Sequence, residues 1–195
     1  MYSSIEWDKE PDMDGLRKVE ALLEVDRARA ISELERLAGR GSMMAMLRLG
    51  IIFMKHNRSN SDMDTAMKWF EMASDKGMIL GHFFVGALSA RSKHYDRAVE
   101  FYKKGASVGH PPSLYRLGWL YMNGFGVGRD AETACDFWAR AASLGQVYAK
   151  RDLARMLING QRGALGVIEG IGMLGSAVLD LWKISISNPG SELLY

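Results

Sequence analysis

A repeated register of small residues constrains this chain more than any other feature. Gly41, Gly77, Gly109 and Gly145 lie 36, 32 and 36 residues apart. Ala30, Ala66, Ala98 and Ala134 keep those spacings, as do the pairs Leu49-Gly50, Val85-Gly86, Leu117-Gly118 and Leu153-Ala154. Three independent markers thus stay in phase across a four-residue deletion. The deletion falls in the second unit, where the loop Ser89–His94 lacks the stretch that reads Asn123-Gly124-Phe125-Gly126-Val127-Gly128 in the third. Self-similarity at this period marks a repeat architecture, in which each unit buries its apolar face only by stacking on a neighbour.

Each unit reads as two helices. In the third, Pro111 and Pro112 suit a first helical turn, where a missing N–H costs nothing. Ser113, Leu117, Leu120, Tyr121 and Gly124 then line one face at a period of 3.6. Gly124, Gly126 and Gly128 turn the chain, and Asp130 is placed to cap a second helix over Ala131–Leu144, which Gly145 closes. The same logic predicts helices over Asp62–Lys76 and His94–Val108, closed by Gly77 and Gly109. Asp14–Glu24 and Ala30–Ala38 form a weaker leading pair. A degenerate fourth unit follows, with a turn at Asn159-Gly160 and a second helix over Leu165–Ile184. Ala66, Ala98 and Ala134, with Gly50, Gly86 and Gly118, are expected where helices approach closely. The predicted protein is all-α, with about ten helices. Its expected parts are a polar tail over 1–12, a solenoid over 13–163, and an apolar C-terminal segment over 164–195.

Composition removes several function classes. Of 195 residues, 48% are hydrophobic and 25% charged, ordinary for a folded soluble chain. A net charge of +2 is too balanced for a dedicated phosphate-backbone binder, so no nucleic acid is expected as partner. Cys135 is the one cysteine, which excludes an intramolecular disulfide and a cysteine-based zinc cage. Glu6, Asp8, Lys9 and Glu10 are not followed by the apolar run of a signal peptide, so the expected compartment is the cytoplasm.

The string Tyr115-Arg-Leu-Gly-Trp-Leu-Tyr-Met-Asn-Gly-Phe-Gly-Val-Gly-Arg-Asp130, then Ala134, Trp138, Ala141-Ala142 and Gly145, resembles the Sel-one-like repeat, a relative of the tetratricopeptide repeat. The first unit keeps Ala45, Leu49-Gly50, Ala66, Trp69-Phe70, Ala73 and Gly77, and the second keeps Gly86, Ala98, Phe101-Tyr102, Ala106 and Gly109. The fourth keeps Ala149, Leu153 and Gly160, then departs, with Gly170 where Ala134 stood and Leu181 where Gly145 stood. The resemblance covers about residues 28–163. It implies a right-handed solenoid of stacked helix-turn-helix repeats. It also implies a non-enzymatic adaptor or scaffold, often in bacterial signalling, envelope assembly or exopolysaccharide systems.

Catalytic chemistry finds no constellation to rest on. His56, His82, His94 and His110 never pair at the helical spacing of a metal site and are expected on the surface or in loops. Cys135 reads as a small, partly buried hydrophobe. Gly170-Ile-Gly172-Met-Leu-Gly175 matches the letters of a dinucleotide loop, but nothing before Gly170 alternates like a strand, and the sequence reaches only Tyr195. No catalytic residue, metal or cofactor is therefore assigned. The paired aromatics Trp69-Phe70, Phe101-Tyr102 and Phe137-Trp138 share one repeat position and read as core.

A binding surface is found by subtracting the core. Counting i, i+4, i+7 and i+11 along each first helix, away from its buried face, gives Met44, Arg48, Ile51 and Lys55; Leu80, Phe84, Ala87 and Arg91; Pro112, Arg116, Trp119 and Asn123; and Tyr148, Asp152, Arg155 and Asn159. Such positions line the concave side of a solenoid. Aromatics interleaved with arginines suit a protein partner carrying acidic and apolar groups. The competing expectation is that Phe84 and Trp119 pack beneath neighbouring helices.

Residues 164–186 are too interrupted by Glu169 and Asp180 to span a bilayer. The segment is expected to dock Leu165, Ile168, Gly172, Gly175 and Leu179 on the last hairpin. That would leave an apolar patch of Ile171, Val178, Leu181 and Trp182, with Met173 and Ile184 beside it. A membrane surface, a partner protein or self-association are its three uses. The alternative function is accordingly a membrane-peripheral assembly factor attached through this segment.

Overall fold

The computed structural model describes residues 10–56, 60–161 and 163–187. Among them are ten α-helices and no strand. The chain divides into two units, Met1–Phe101 and Tyr102–Tyr195.

The first unit holds α1 (Met13–Val25), α2 (Arg27–Gly39), α3 (Met43–His56), α4 (Asn60–Asp75), α5 (Ile79–Arg91) and the start of α6 (Tyr95–Ser107). The second holds the end of α6, α7 (Pro111–Asn123), α8 (Ala131–Ser143), α9 (Val147–Met156), a π-helical turn Leu157–Gln161, and α10 (Gly163–Ser187). Successive helices pack on one another from α1 to α5 and from α7 to α10.

The helix ends follow from local chemistry. Asp12, Asp26 and Asp130 cap α1, α2 and α8, and their carboxylates accept from backbone N–H groups of the first turn. Gly41, Gly77, Gly109 and Gly145 all take φ between 75° and 98°. After each, the next residue's N–H returns to a carbonyl five residues back: Ser42 to Leu37, Met78 to Ala73, His110 to Gly105, Gln146 to Ala141. One turn geometry is therefore used four times, and glycine is the residue that enters it without strain. Gly124 closes α7 at φ 70°. In the shortened turn of the second repeat, only Ser92–His94 link α5 to α6, and Lys93 takes φ 63°.

The core sits where the repeat register places it. Ala66, Ala98 and Ala134 are fully buried, as are Leu49, Val85 and Leu117. Of each aromatic pair the second member is core (Phe70, Tyr102, Trp138), while Trp69, Phe101 and Phe137 are half-exposed. A Cβ added at Gly50 would lie 2.5 Å from the Phe70 ring, and one at Gly118 would lie 2.7 Å from the Trp138 ring. The Trp138 indole N–H donates to the Tyr115 carbonyl at 3.1 Å, locking α8 on α7.

Several expectations are corrected. Glu10 and Asp12 are not a free tail. The Glu10 carboxylate accepts from the Ser42 hydroxyl at 2.6 Å and from Met44 N–H at 2.7 Å, neutralising open donors at the start of α3. Residues 1–9 lie outside the described residues. The fourth unit does not turn at Asn159 as the third does at Asn123. The chain winds from α9 through a π turn, because Arg162 and Ala164 replace the glycines found at 126 and 128.

α10 docks on a different face from the one expected. Gly170, Met173, Leu174 and Ala177 turn inward, with a Cβ at Gly170 only 2.7 Å from the Ala154 carbonyl oxygen. Ile168 and Leu179 are exposed, and Gly172 and Gly175 face open space. The reason is polar: Lys150 of α9 binds Asp180 at 2.9 Å and the Ser176 hydroxyl, and this fixes the rotation of α10. Ile171, Val178 and Trp182 are exposed as expected, while the Leu181 and Ile184 side chains lie outside the described residues.

Two substitutions test this account. Gly118→Val forces α7 off the Trp138 ring and is expected to cost about 1–3 kcal/mol in chemical unfolding. Lys93→Gly relieves a left-handed non-glycine residue and is expected to raise stability by about 0.5–1 kcal/mol in the same assay.

Candidate functional site

In the second unit the subtracted positions fall on α7 and α9, which lie side by side. Arg116 is half-exposed, and Trp119 is 36% exposed with its ring 5.3 Å from that of Phe125. Asn123 is exposed, and its side-chain amide donates to the Trp119 carbonyl at 2.8 Å. On α9 the Tyr148 ring lies 6.2 Å from that of Tyr115, under the Arg151 guanidinium at 5.3 Å. The Arg155 side chain is 66% exposed.

Asp152 has a structural task in this cluster. Its carboxylate accepts from the Tyr115 hydroxyl at 3.0 Å and from Arg151 Nε at 2.7 Å, and its side chain is only 15% exposed. Burial, and then the Asp152 charge and hydrogen bond, push the Tyr115 phenol up to about 12, so it remains a donor at neutral pH. Asp152 therefore ties α9 to α7 and fixes the two tyrosines. Tyr115 and Arg151 were missed because counting i, i+4, i+7 steps over them. Their adjacency to Arg116 and Asp152 was the available signal.

The first unit presents a different surface. Arg48 is pinned against α1, where it pairs with Glu20 at 2.5 Å and donates to the Leu16 carbonyl at 3.3 Å. Phe84 is 7% exposed, stacked at 4.6 Å on Phe70 and edge-on to Phe83, so it belongs to the core and cannot line a groove. Met44, Ile51 and Leu80 are half-buried, and Arg91 is exposed at the end of α5.

A common cause underlies these differences. Arg48, Phe84, Arg116 and Asp152 occupy one repeat position, and three of the four are largely covered. Arg48 meets α1 and Asp152 meets α7, so on α3 and α9 this position faces the preceding first helix, whereas Phe84 packs on Phe70 of α4 and Arg116 is half-exposed. The open face is centred instead on the positions of Trp119 and Arg155, and of Asn123 and Arg91.

A second concavity was not anticipated. A cleft of about 700 Å³ opens between α8, α9 and α10, with Glu132, Asp136 and Glu169 around a floor of Cys135, Leu153 and Leu157. Cys135 is half-buried, its sulfur 3.4 Å from that of Met156. Gly170, Gly172 and Gly175 stand within one continuous helix, not at a strand-to-helix turn. Among the described residues no three His, Cys, Asp or Glu side chains gather as metal ligands, and no helix is long and apolar enough to cross a membrane.

The Sel1 repeat model matches residues 44–78, 85–110 and 111–146. The chain belongs to the Sel1-repeat family. The three matches coincide with the hairpins α3–α4, α5–α6 and α7–α8. The ERAD-associated E3 ubiquitin-protein ligase component HRD3B of Arabidopsis thaliana is 31% identical over 126 residues, covering 64% of this chain. The DAP3-binding cell death enhancer 1 of Rattus norvegicus is 30% identical over 103 residues, covering 52% of this chain. This Sel1-repeat chain spans 20% of the length of each. Among solved structures, a protective antigen of uropathogenic Escherichia coli with an SLR fold superposes at a TM-score of 0.75. It is 18% identical, and the match covers 95% of this chain and 43% of that one. A Sel1 repeat protein of Oxalobacter formigenes gives 0.71 at 19% identity, covering 92% and 82%. The fold is therefore the all-α solenoid of Sel1-like repeats.

His110 departs from the surface placement expected of the histidines. It is 6% exposed at the start of α7, its Nδ1 2.8 Å from the Ser113 hydroxyl, whereas His94 is exposed. Burial pushes its imidazole down to about 4. The unfolded chain takes up this proton near pH 6.5, before the folded one does. The stability is therefore complete above about 6.5 and declines by roughly 3 kcal/mol as the pH falls towards 4. Urea unfolding at pH 7 and pH 4.5 should show this loss, and His110→Gln should reduce it.

Proposed function

We propose that this Sel1-repeat protein is a non-enzymatic adaptor that binds a protein partner on the α7–α9 face of its second unit. The carrying observation is Trp119. It is a large aromatic left substantially open beside Arg116 and within the element that also presents Asn123, whereas Phe84 in the first unit is folded into the core. Trp, Tyr and Arg carry most of the binding energy at protein interfaces, and here all three types meet on two neighbouring helices. The Asp152 clamp supports the reading, since it holds Tyr115, Tyr148 and Arg151 in place before any partner arrives. Arg116 and Arg155 have no full carboxylate partner among the described residues; Arg155 lies 3.9 Å from an Asp152 oxygen already shared with Arg151. The partner segment therefore carries acidic groups next to apolar ones. Both curated relatives are named for association with other proteins, one as a ligase component and one as DAP3-binding. The bacterial sources of the solved neighbours are in keeping with a place in a bacterial signalling or envelope system.

Selection from a peptide display library should enrich acidic–aromatic or acidic–aliphatic sequences. Trp119→Ala and Arg116→Glu should each weaken the selected peptides by tenfold or more, which corresponds to about 1.4 kcal/mol or greater. The unfolding midpoint should remain near that of the parent. A sharp fall in that midpoint, with binding lost only through unfolding, would return Trp119 to the core and overturn the assignment.

A further inference from the structure

α10 has three faces rather than two. Gly170, Met173, Leu174 and Ala177 pack inward, while Glu169, Ser176, Asp180 and Lys183 form a polar stripe bound to α9 through Lys150. The third face is apolar and uncovered: Ile168, Ile171, Val178, Leu179 and Trp182 are each 57% to 68% exposed. Gly172 and Gly175 lie between them, with open space where a Cβ would stand.

The spacing 168, 171, 175, 178, 182 alternates three and four, which is the repeat of a helix seam that receives another helix. Along this face the order is Ile168 and Ile171, then Gly172 and Gly175, then Val178, Leu179 and Trp182: two large side chains, two glycines and three large side chains. About Gly175, Ile168 stands opposite Trp182 and Ile171 opposite Leu179, so an antiparallel copy meets large side chains at both ends of the glycine notch. No charged residue lies on this face, so nothing on it would meet its own like charge across a two-fold axis. Complete cover of these five side chains on two copies reaches the low end of the stable range, about 1,200 Å². A lipid surface makes no use of the central glycine notch. Lys183 is the only basic residue on the exposed part of α10, too few to recruit anionic headgroups.

We infer that the chain associates with a second copy of itself through an antiparallel α10–α10 contact, the two-fold axis passing near Gly175. The glycines let the helices cross closely at the centre, and Ile168 and Trp182 of opposite copies close each end. An interface of this size gives a reversible dimer, with Kd of about 1–100 µM.

Sedimentation velocity of the full chain over that range should show a concentration-dependent monomer–dimer equilibrium. Val178→Asp should weaken the dimer at least tenfold with helicity unchanged by circular dichroism. In a Cys135→Ser background, Gly175→Cys should form a disulfide-linked dimer in oxidised glutathione. Lys183→Cys on the polar stripe should not. A protein that stays monomeric throughout, a dimer indifferent to Val178→Asp, or crosslinking at 183 instead of 175 would each overturn the inference. So would a monomer whose Trp182 emission shifts to the blue on phosphatidylcholine vesicles, an outcome that assigns the face to lipid. These readouts are independent of peptide binding by the α7–α9 face.

Discussion

Close approach of the two helices within the hairpins α3–α4 and α7–α8 is the constraint on which the structure rests. Gly50 lies against the Phe70 ring and Gly118 against the Trp138 ring, at separations where not even a methyl group fits. Fully buried alanines at 66 and 134 complete the same contacts. With the backbones this near, one aromatic ring per hairpin fills the space that several aliphatic side chains would otherwise need. The recurring left-handed glycine then delivers the chain to the next hairpin at a constant angle. Neither device works without the other, which explains why both recur together in one register.

That register made the fold legible. Spacing alone located the helix-closing glycines, the buried alanines and the shortened turn. Each depends on local backbone geometry, and local geometry is written in the nearby residues. The departures have a different origin. The π turn after α9 and the docking face of α10 depend on what is absent at 162 and 164, and on a Lys150–Asp180 pair thirty residues apart. A periodic pattern carries no information about either.

The surface was legible only in part, and the error was one of rotation. Helical counting marked a face at 100° from the core. It could not tell which side of the core the preceding hairpin would cover. Arg48 and Asp152 show that the covered side includes their repeat position, where a buried charge is held by Glu20 in one case and by Tyr115 and Arg151 in the other. The same position holds Phe84 in the first unit as plain core. Residues in equivalent places therefore do different work, and the proposed α7–α9 face combines aromatic ring, cation and exposure at Trp119.

The glycine content of α10 bears on how the protein opens. Residues 163, 166, 170, 172 and 175 are all glycine, and each weakens an isolated helix by up to about 1 kcal/mol relative to alanine. In an array where stability is the sum of local terms and neighbour contacts, such a helix is the first to fray, and its amides exchange with solvent through small excursions rather than global unfolding. Whatever covers its outer face thereby also sets how often it comes undone. In the proposed dimer the order of α10 varies with protein concentration and is not a constant of the single chain.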